Sequence, residues 1–289
     1  TELGRHARAR HTGPVIGITG SVGKTSVKDL ALAAIGKTRK THASERSFNN
    51  ELGVPLTLFN APDDAEVLIV EMGARGIGHI AALCEIANPI IGIVTYVGAV
   101  HTSEFGTVEA IAQAKGELVE ALPASGRAIL NADSAPVLAM RFRSQAPVIT
   151  YGVGGDFNAV SVTIDAELRP SFQLVSSGRT YSVSLPVHGV HQVSNALAAL
   201  AAAEAVGVTP SQAIAGLATA GLSRWRMELG HTAGGAVVIN DAYNANTIST
   251  EAALRSLAAI DVAQRFAVLG VMAELGDRHD ADHRAMAAL

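Results

Sequence analysis

The feature that most constrains this chain is the run Val15-Ile-Gly-Ile-Thr-Gly-Ser-Val-Gly-Lys-Thr-Ser-Val27. Its apolar start reads as a short buried strand, and its glycines and Lys-Thr pair fall where a strand turns into a helix. That is the layout of a phosphate loop. Gly20, Ser21, Val22 and Gly23 let backbone N–H groups close around a polyphosphate, while Lys24, Thr25 and Ser26 open a helix whose N-terminus favours negative charge. Lys24 can neutralise the outer phosphate oxygens, and Thr25 can ligate Mg²⁺. The loop alone does not separate a kinase, a nucleotide switch, a transport ATPase and a ligase.

Further apolar strands at Val67–Val70 and Ile90–Val94 alternate with helical segments, the first over Lys24–Ile35. Such alternation predicts a parallel sheet covered on both faces, with ligands collecting beyond the carboxyl ends of its strands. Between Pro147 and Gly189 the pattern changes to polar–apolar alternation broken by turn signals, which predicts antiparallel strands forming a β insert. Helices resume over 193–206 and 210–222. The strand-like "GAVVIND", a helix from Thr247 and the strand-like "RFAVLGV" then begin a second, Rossmann-like domain with too few strands to be complete. The expected class is α/β: a P-loop NTPase-like parallel sheet with an antiparallel β insert, followed by the start of that second domain. Residues 1–14 read as a linker, 15–223 as a central ATP-binding domain and 224–289 as a partial C-terminal domain.

Composition narrows the class further. Hydrophobic residues at 48% and charged residues at 17% fit a soluble globular chain, and a net charge of −4 leaves no electrostatic footprint for nucleic acid. The basic cluster Arg5, Arg8 and Arg10 reads as a solvated helix end or linker. The single cysteine, Cys84, excludes an intramolecular disulfide framework and fits a reducing compartment; its apolar surroundings read as core. Pro89, Gly92, Glu204 and Gly207 interrupt the longest apolar runs, so no membrane insertion is expected. The expectation is a cytoplasmic monomer.

In a parallel sheet the strand ends converge on the phosphate loop. Glu71 follows one strand and His101 the loop after another, so both should face it. A hard Mg²⁺ ion takes oxygen ligands, which makes Thr25 and Glu71 natural partners and a histidine a less usual one. Lys115, in "QAKGEL", reads by itself as a surface helix lysine.

The segments "GITGSVGKTSVK", "SFNNELGVPLTLF", "VEMGARGIGHI", "HTSEFGTVEAIAQAKGEL", "GVHQVSNALAAL", "NDAYNAN" and "MAELGD" occur in the order and spacing of the Mur ligases. The chain resembles that family over nearly its whole length, and within it the MurF type. The resemblance implies an ATP- and Mg²⁺-dependent ligase of peptidoglycan precursor synthesis, joining D-Ala-D-Ala to UDP-MurNAc-tripeptide through an acyl phosphate. It also implies that Glu71 and His101 help hold Mg²⁺ and that Lys115 is carbamylated, becoming an anion able to ligate a second ion. Asn195 matches a residue that contacts adenine, Asp241 and Tyr243 match residues at the ribose and base, and Arg226 matches a junction arginine that reaches the nucleotide. Two positions depart from the pattern: Gln192 stands where asparagine is usual, and Val271 where an aspartate commonly precedes "MAELG". Another Mur synthetase, a folylpolyglutamate synthetase-like ligase or a non-catalytic ATP-binding module are the alternatives. The chain is expected not to act as a ligase unaided, and residues 224–289 are expected to be mobile or aggregation-prone.

Overall fold

The computed structural model describes residues 2–99 and 102–289, so the expected site residue His101 lies outside the described residues. In chain order the first elements are α1 (Glu2–Ala9), β1 (Val15–Thr19), α2 (Lys24–Gly36), β2 (Thr41–Ala43), α3 (Gly53–Asn60), β3 (Val67–Glu71), α4 (His79–Ala87) and β4 (Ile91–Val94). There follow α5 (Thr102–Phe105), α6 (Val108–Glu120), β5 (Arg127–Asn131), α7 (Ala135–Leu138), β6 (Val148–Tyr151), β7 (Phe157–Ile164), β8 (Pro170–Ser176) and β9 (Arg179–Ser184). The last elements are α8 (Gln192–Ala205), α9 (Pro210–Leu217), β10 (Glu228–His231), β11 (Val237–Asn240), α10 (Thr247–Ala259) and α11 (His279–Ala287).

One sheet carries most of the chain, in the spatial order β2-β3-β1-β4-β5-β6-β7-β8-β9. Strands β2 to β6 pair in parallel, as the alternation predicts. Every residue of β1, β3 and β4 is buried, so both faces are covered. The strand period of two divides their side chains between layers. Ile16, Ile18, Val67, Ile69 and Ile93 join the core shared with α2, α8 and α9. Val15, Leu68 and Val70 face the other way, against Val54 and Leu58 of α3 and Ile80 and Leu83 of α4.

Helix α6 and the residues just after it pack onto this second face where two side chains are missing beneath them. Gly17 and Gly92 are cross-strand partners on β1 and β4. A Cβ at Gly17 would stand 2.9 Å from Leu118 Cδ1, and one at Gly92 would stand 3.0 Å from Leu122 Cδ1 and 3.1 Å from Leu118 Cγ. Leu118 and Leu122 therefore sit directly on the sheet, which sets how far Lys115, one turn earlier, stands from the strand ends.

The expected antiparallel β insert is present as β7, β8 and β9, and it continues the main sheet, joined to β6 through the pair Tyr151↔Phe157. Phe157, Phe172, Leu174 and Val183 bury into the same core as Ile16, and that shared burial makes the extension continuous. Within the expected linker, residues 2–9 form α1, whose Ala7 is buried and whose Arg5 pairs with Glu85 at 2.8 Å. In the second region β10 and β11 form an antiparallel pair, whereas 265–271, expected as a strand, is irregular. No described strand lies beside that segment to pair its backbone groups, and Val268 is 98% exposed. The small core of this region is Met272, Leu275 and Met286 packed on Ala245 and Leu254.

Candidate active site

From β1 the chain first builds β2 and β3 on one side and then crosses to β4 on the other, so β1 ends at the point where the strand order reverses. The phosphate loop leaves that end. Gly23 caps α2 with φ +84°, a left-handed conformation that favours glycine, and a Cβ there would meet Asn195 Oδ1 at 2.8 Å. The loop after β4 braces it: Ser21 N donates to Tyr96 O at 2.7 Å and Thr95 Oγ1 donates to Val22 O at 2.5 Å. Asn131 Nδ2 fixes the brace by donating to Thr95 O at 2.7 Å. No side chain caps the N-terminus of α2, so its first N–H groups stay open to an anion.

Thr25 Oγ1 donates to Glu71 Oε2 at 2.9 Å, and Asn49 Nδ2 donates to Glu71 Oε1 at 2.9 Å. Glu71 is wholly buried at the end of β3, and Ser44 Oγ accepts its backbone N–H at 3.1 Å. Lys24 Nζ donates back to Gly20 O at 2.9 Å. Burial pulls the Lys24 pKa down, Glu71 opposes that fall and the Arg226 cation adds to it.

Lys115 is buried, not on the surface as its sequence alone suggests. Its ammonium has neither a hydrogen-bond nor an ion-pair partner among the described residues. Burial first, and the Lys24 cation second, bring its pKa down to about 7. Two residues on, Glu117 accepts Gly78 N at 2.5 Å and Ala81 N at 3.0 Å, fastening the start of α4 to α6.

The second region closes the site. Arg226 Nη2 donates to Thr25 Oγ1 at 3.0 Å, and the guanidinium lies over the Tyr243 ring, 4.4 Å from its centroid. The Tyr243 hydroxyl meets Ser47 Oγ. Asp241 Oδ1 accepts Met227 N at 3.0 Å; burial raises its pKa, against the pull of that hydrogen bond and of Arg226.

Ser21, Val22, Gly23, Lys24, Thr25, Glu71, Lys115, Arg226, Asp241 and Tyr243 line one cavity of about 760 Å³. Gly20, Ser26 and Asn195 do not line it. Ser26 is buried in the first turn of α2, and Asn195 supports the loop from behind while donating to Gln192 Oε1 at 2.9 Å. Gln192 also lies 3.0 Å from His191 Nε2, so the longer side chain at that departure from the family pattern spans two neighbours. Sequence reasoning missed Asn49, Ser47 and Thr95; the first two lie in or beside the "SFNNELG" motif, and that motif was their only signal.

Known proteins share this fold. The profile of the Mur ligase middle domain matches residues 18–203, and that of the Mur ligase glutamate ligase domain matches residues 225–289. The chain belongs to the Mur ligases. A Mycobacterium tuberculosis relative named UDP-N-acetylmuramoyl-tripeptide–D-alanyl-D-alanine ligase is 46% identical over 277 residues, covering 93% of this chain and 54% of its own length. The crystal structure of MurF from Acinetobacter baumannii superposes with a TM-score of 0.94 at 30% identity, covering 100% of this chain and 64% of that one. MurF from Thermotoga maritima, in complex with ADP, gives 0.87 at 27% identity, covering 99% and 67%. The chain spans about half the length of the mycobacterial relative. No described helix of this Mur ligase chain is long and apolar enough to cross a membrane.

Proposed function

We propose that this chain forms the nucleotide-binding and phosphoryl-transfer part of a MurF-type ligase, which joins D-Ala-D-Ala to UDP-MurNAc-tripeptide using ATP. The observation that carries this reading is the closure of two regions on one threonine: Thr25 of the phosphate loop meets both Glu71 of β3 and Arg226 of the second region. A terminal carboxylate is a poor acyl donor. Transfer of the γ-phosphoryl group from ATP to the tripeptide carboxylate gives an acyl phosphate and ADP. Attack by the dipeptide amine then forms the amide and releases phosphate and a proton.

The loop N–H groups and Lys24 hold the phosphates and offset their repulsion from the incoming carboxylate. Asn195 backs the loop that faces the nucleotide, and Asp241 and Tyr243 stand at its sugar and base. The Thr25 hydroxyl and the buried Glu71 carboxylate are hard oxygen donors 2.9 Å apart, a set that fits Mg²⁺ once phosphate and water oxygens complete the shell. When bound, Mg²⁺ spreads the negative charge of the transferring phosphoryl group. With its pKa near 7, Lys115 has a large neutral fraction at physiological pH. Its amine can add CO₂, forming an N–C bond and releasing a proton, to place a carbamate anion beside the phosphates. His101 is retained as a further Mg²⁺ ligand of this reading. A single free cysteine and the use of ATP fit a cytoplasmic setting, and we take the protein as a monomer.

Two measurements test the proposal. Calorimetric titration of this chain with a non-hydrolysable ATP analogue and Mg²⁺ should show one-to-one binding. The product of the complete reading frame, given ATP and both substrates, should yield the UDP-linked pentapeptide by mass spectrometry with one ADP per bond. Efficient joining of a single amino acid in place of the dipeptide would refute the MurF-type assignment.

A further inference from the structure

Arg226 sits between two residues whose backbones are both left-handed: Trp225 has φ +63° and Met227 φ +51°. Neither is a glycine, and bulky side chains disfavour that region, so something must hold the turn in place. The hold is made by carboxylates and a carbonyl. Met227 N donates to Asp241 Oδ1 at 3.0 Å, Trp225 N donates to Glu228 Oε2 at 3.2 Å, and Tyr243 N donates to Trp225 O at 3.2 Å. The Arg226 side chain that this turn presents is held by Nη2 on Thr25 and by the Tyr243 ring beneath its guanidinium, while its buried Nε has no partner. The turn itself fixes where those contacts can form, because Tyr243 is tied to it through Trp225 O.

We propose that Asp241 is a positioning residue for phosphate binding: through the Met227 N–H it locks the strained turn that directs Arg226 at Thr25. This rests on the reading of the loop as a nucleotide-phosphate site, and it is separate from any contact of Asp241 with a sugar. The second carboxylate oxygen, Oδ2, has no hydrogen-bond partner among the described residues, and Asp241 lines the cavity. One oxygen thus holds the turn while the other stays available, so a single residue ties the sugar end of the site to the arginine at its phosphate end.

Inorganic tripolyphosphate separates the two roles because it has no sugar. Plain electrostatics predicts that deleting a carboxylate from the cavity strengthens binding of a polyanion. The positioning role predicts the reverse. In calorimetric titrations with magnesium tripolyphosphate, Asp241→Ala should bind at least about tenfold more weakly than the unaltered chain, the scale of one lost charge-assisted hydrogen bond. Asp241→Asn, which keeps an acceptor oxygen, should bind as tightly or more tightly. Arg226→Ala should be weak, and adding Asp241→Ala to it should cost nothing further, because one change acts through the other. Asp241→Ser, too short to reach Met227 N, repeats the test where the alanine variant does not fold. The inference is overturned if Asp241→Ala and Asp241→Ser bind like the unaltered chain, if Asp241→Asn is as weak as Asp241→Ala, or if the losses add. No binding by the unaltered chain overturns the phosphate-site reading and this inference with it.

Discussion

Replacing Lys115 by methionine should make the protein more stable, by an amount that depends on pH. The methionine has similar length and volume, so the site beneath α6 stays filled. What changes is the cost of an ammonium buried without a partner. The Lys115 pKa falls from 10.5 in the unfolded chain to about 7 in the fold. At ~1.4 kcal/mol per pH unit, that separation of about 3.5 destabilises the fold by roughly 5 kcal/mol well below pH 7. Between pH 7 and 10.5 the unfolded state binds more protons than the folded state, so the stability of the unaltered protein rises with pH across that window. Lys115→Met lacks this dependence. Its advantage should be roughly 4 kcal/mol at pH 7, fall to roughly 2 kcal/mol at pH 9 and be nearly gone by pH 10.5. Urea unfolding of both proteins in degassed buffer at pH 7 and pH 9 measures it. Added bicarbonate should then stabilise the unaltered protein and leave Lys115→Met unchanged, because only a lysine can become a carbamate. Equal midpoints for the two proteins at both pH values would show that this ammonium carries no such burden, and the same bicarbonate effect on both would show that Lys115 takes up no CO₂.

Two further substitutions probe the walls of the site. Glu71→Ala strips the acceptor from Thr25 Oγ1 and Asn49 Nδ2; Mn²⁺ binding in the presence of nucleotide, followed by electron paramagnetic resonance, should weaken at least about tenfold. Gly17→Val drives a side chain into Leu118, which stands 2.9 Å from the position of the first added carbon; thermal melting should report a loss of about 1–3 kcal/mol, and nucleotide affinity should fall with it as α6 shifts.

The parts of the site legible in the sequence were those built by neighbouring residues. Gly20 to Ser26 announce a phosphate loop because strand, turn and helix signals lie within a dozen positions. Glu71 was legible for a second reason, since an acid directly after a buried parallel strand arrives at the same sheet edge as the loop. Lys115 was not: an isolated helix lysine reads as solvated, and its burial depends on two glycines in distant strands that let α6 settle onto the sheet. The pairing of Asn49 with Glu71 left no local trace either, because an asparagine in a loop has many uses until a carboxylate stands beside it. The strand-like run at 265–271 shows the opposite failure, in which composition names a strand but the described residues supply no neighbour for it. The order in which β7 to β9 join the main sheet was likewise beyond a reading based on alternation, which reports the faces of a strand and not what its edge meets.

Helix α6 is fastened on three sides. Its Leu118 sits on bare glycine, Glu117 ties it to α4, and Arg143 grips the carbonyls of Ala112 and Gln113 at 3.1 and 2.9 Å. Stiffness is thus shared out unevenly around the cavity. The wall that carries Lys115 moves only if the main sheet moves with it. The opposite wall reaches across through Arg226 and Tyr243. Parting Tyr243 from Ser47 would thus break a contact between the two regions while leaving α6, and Lys115 with it, seated on the main sheet.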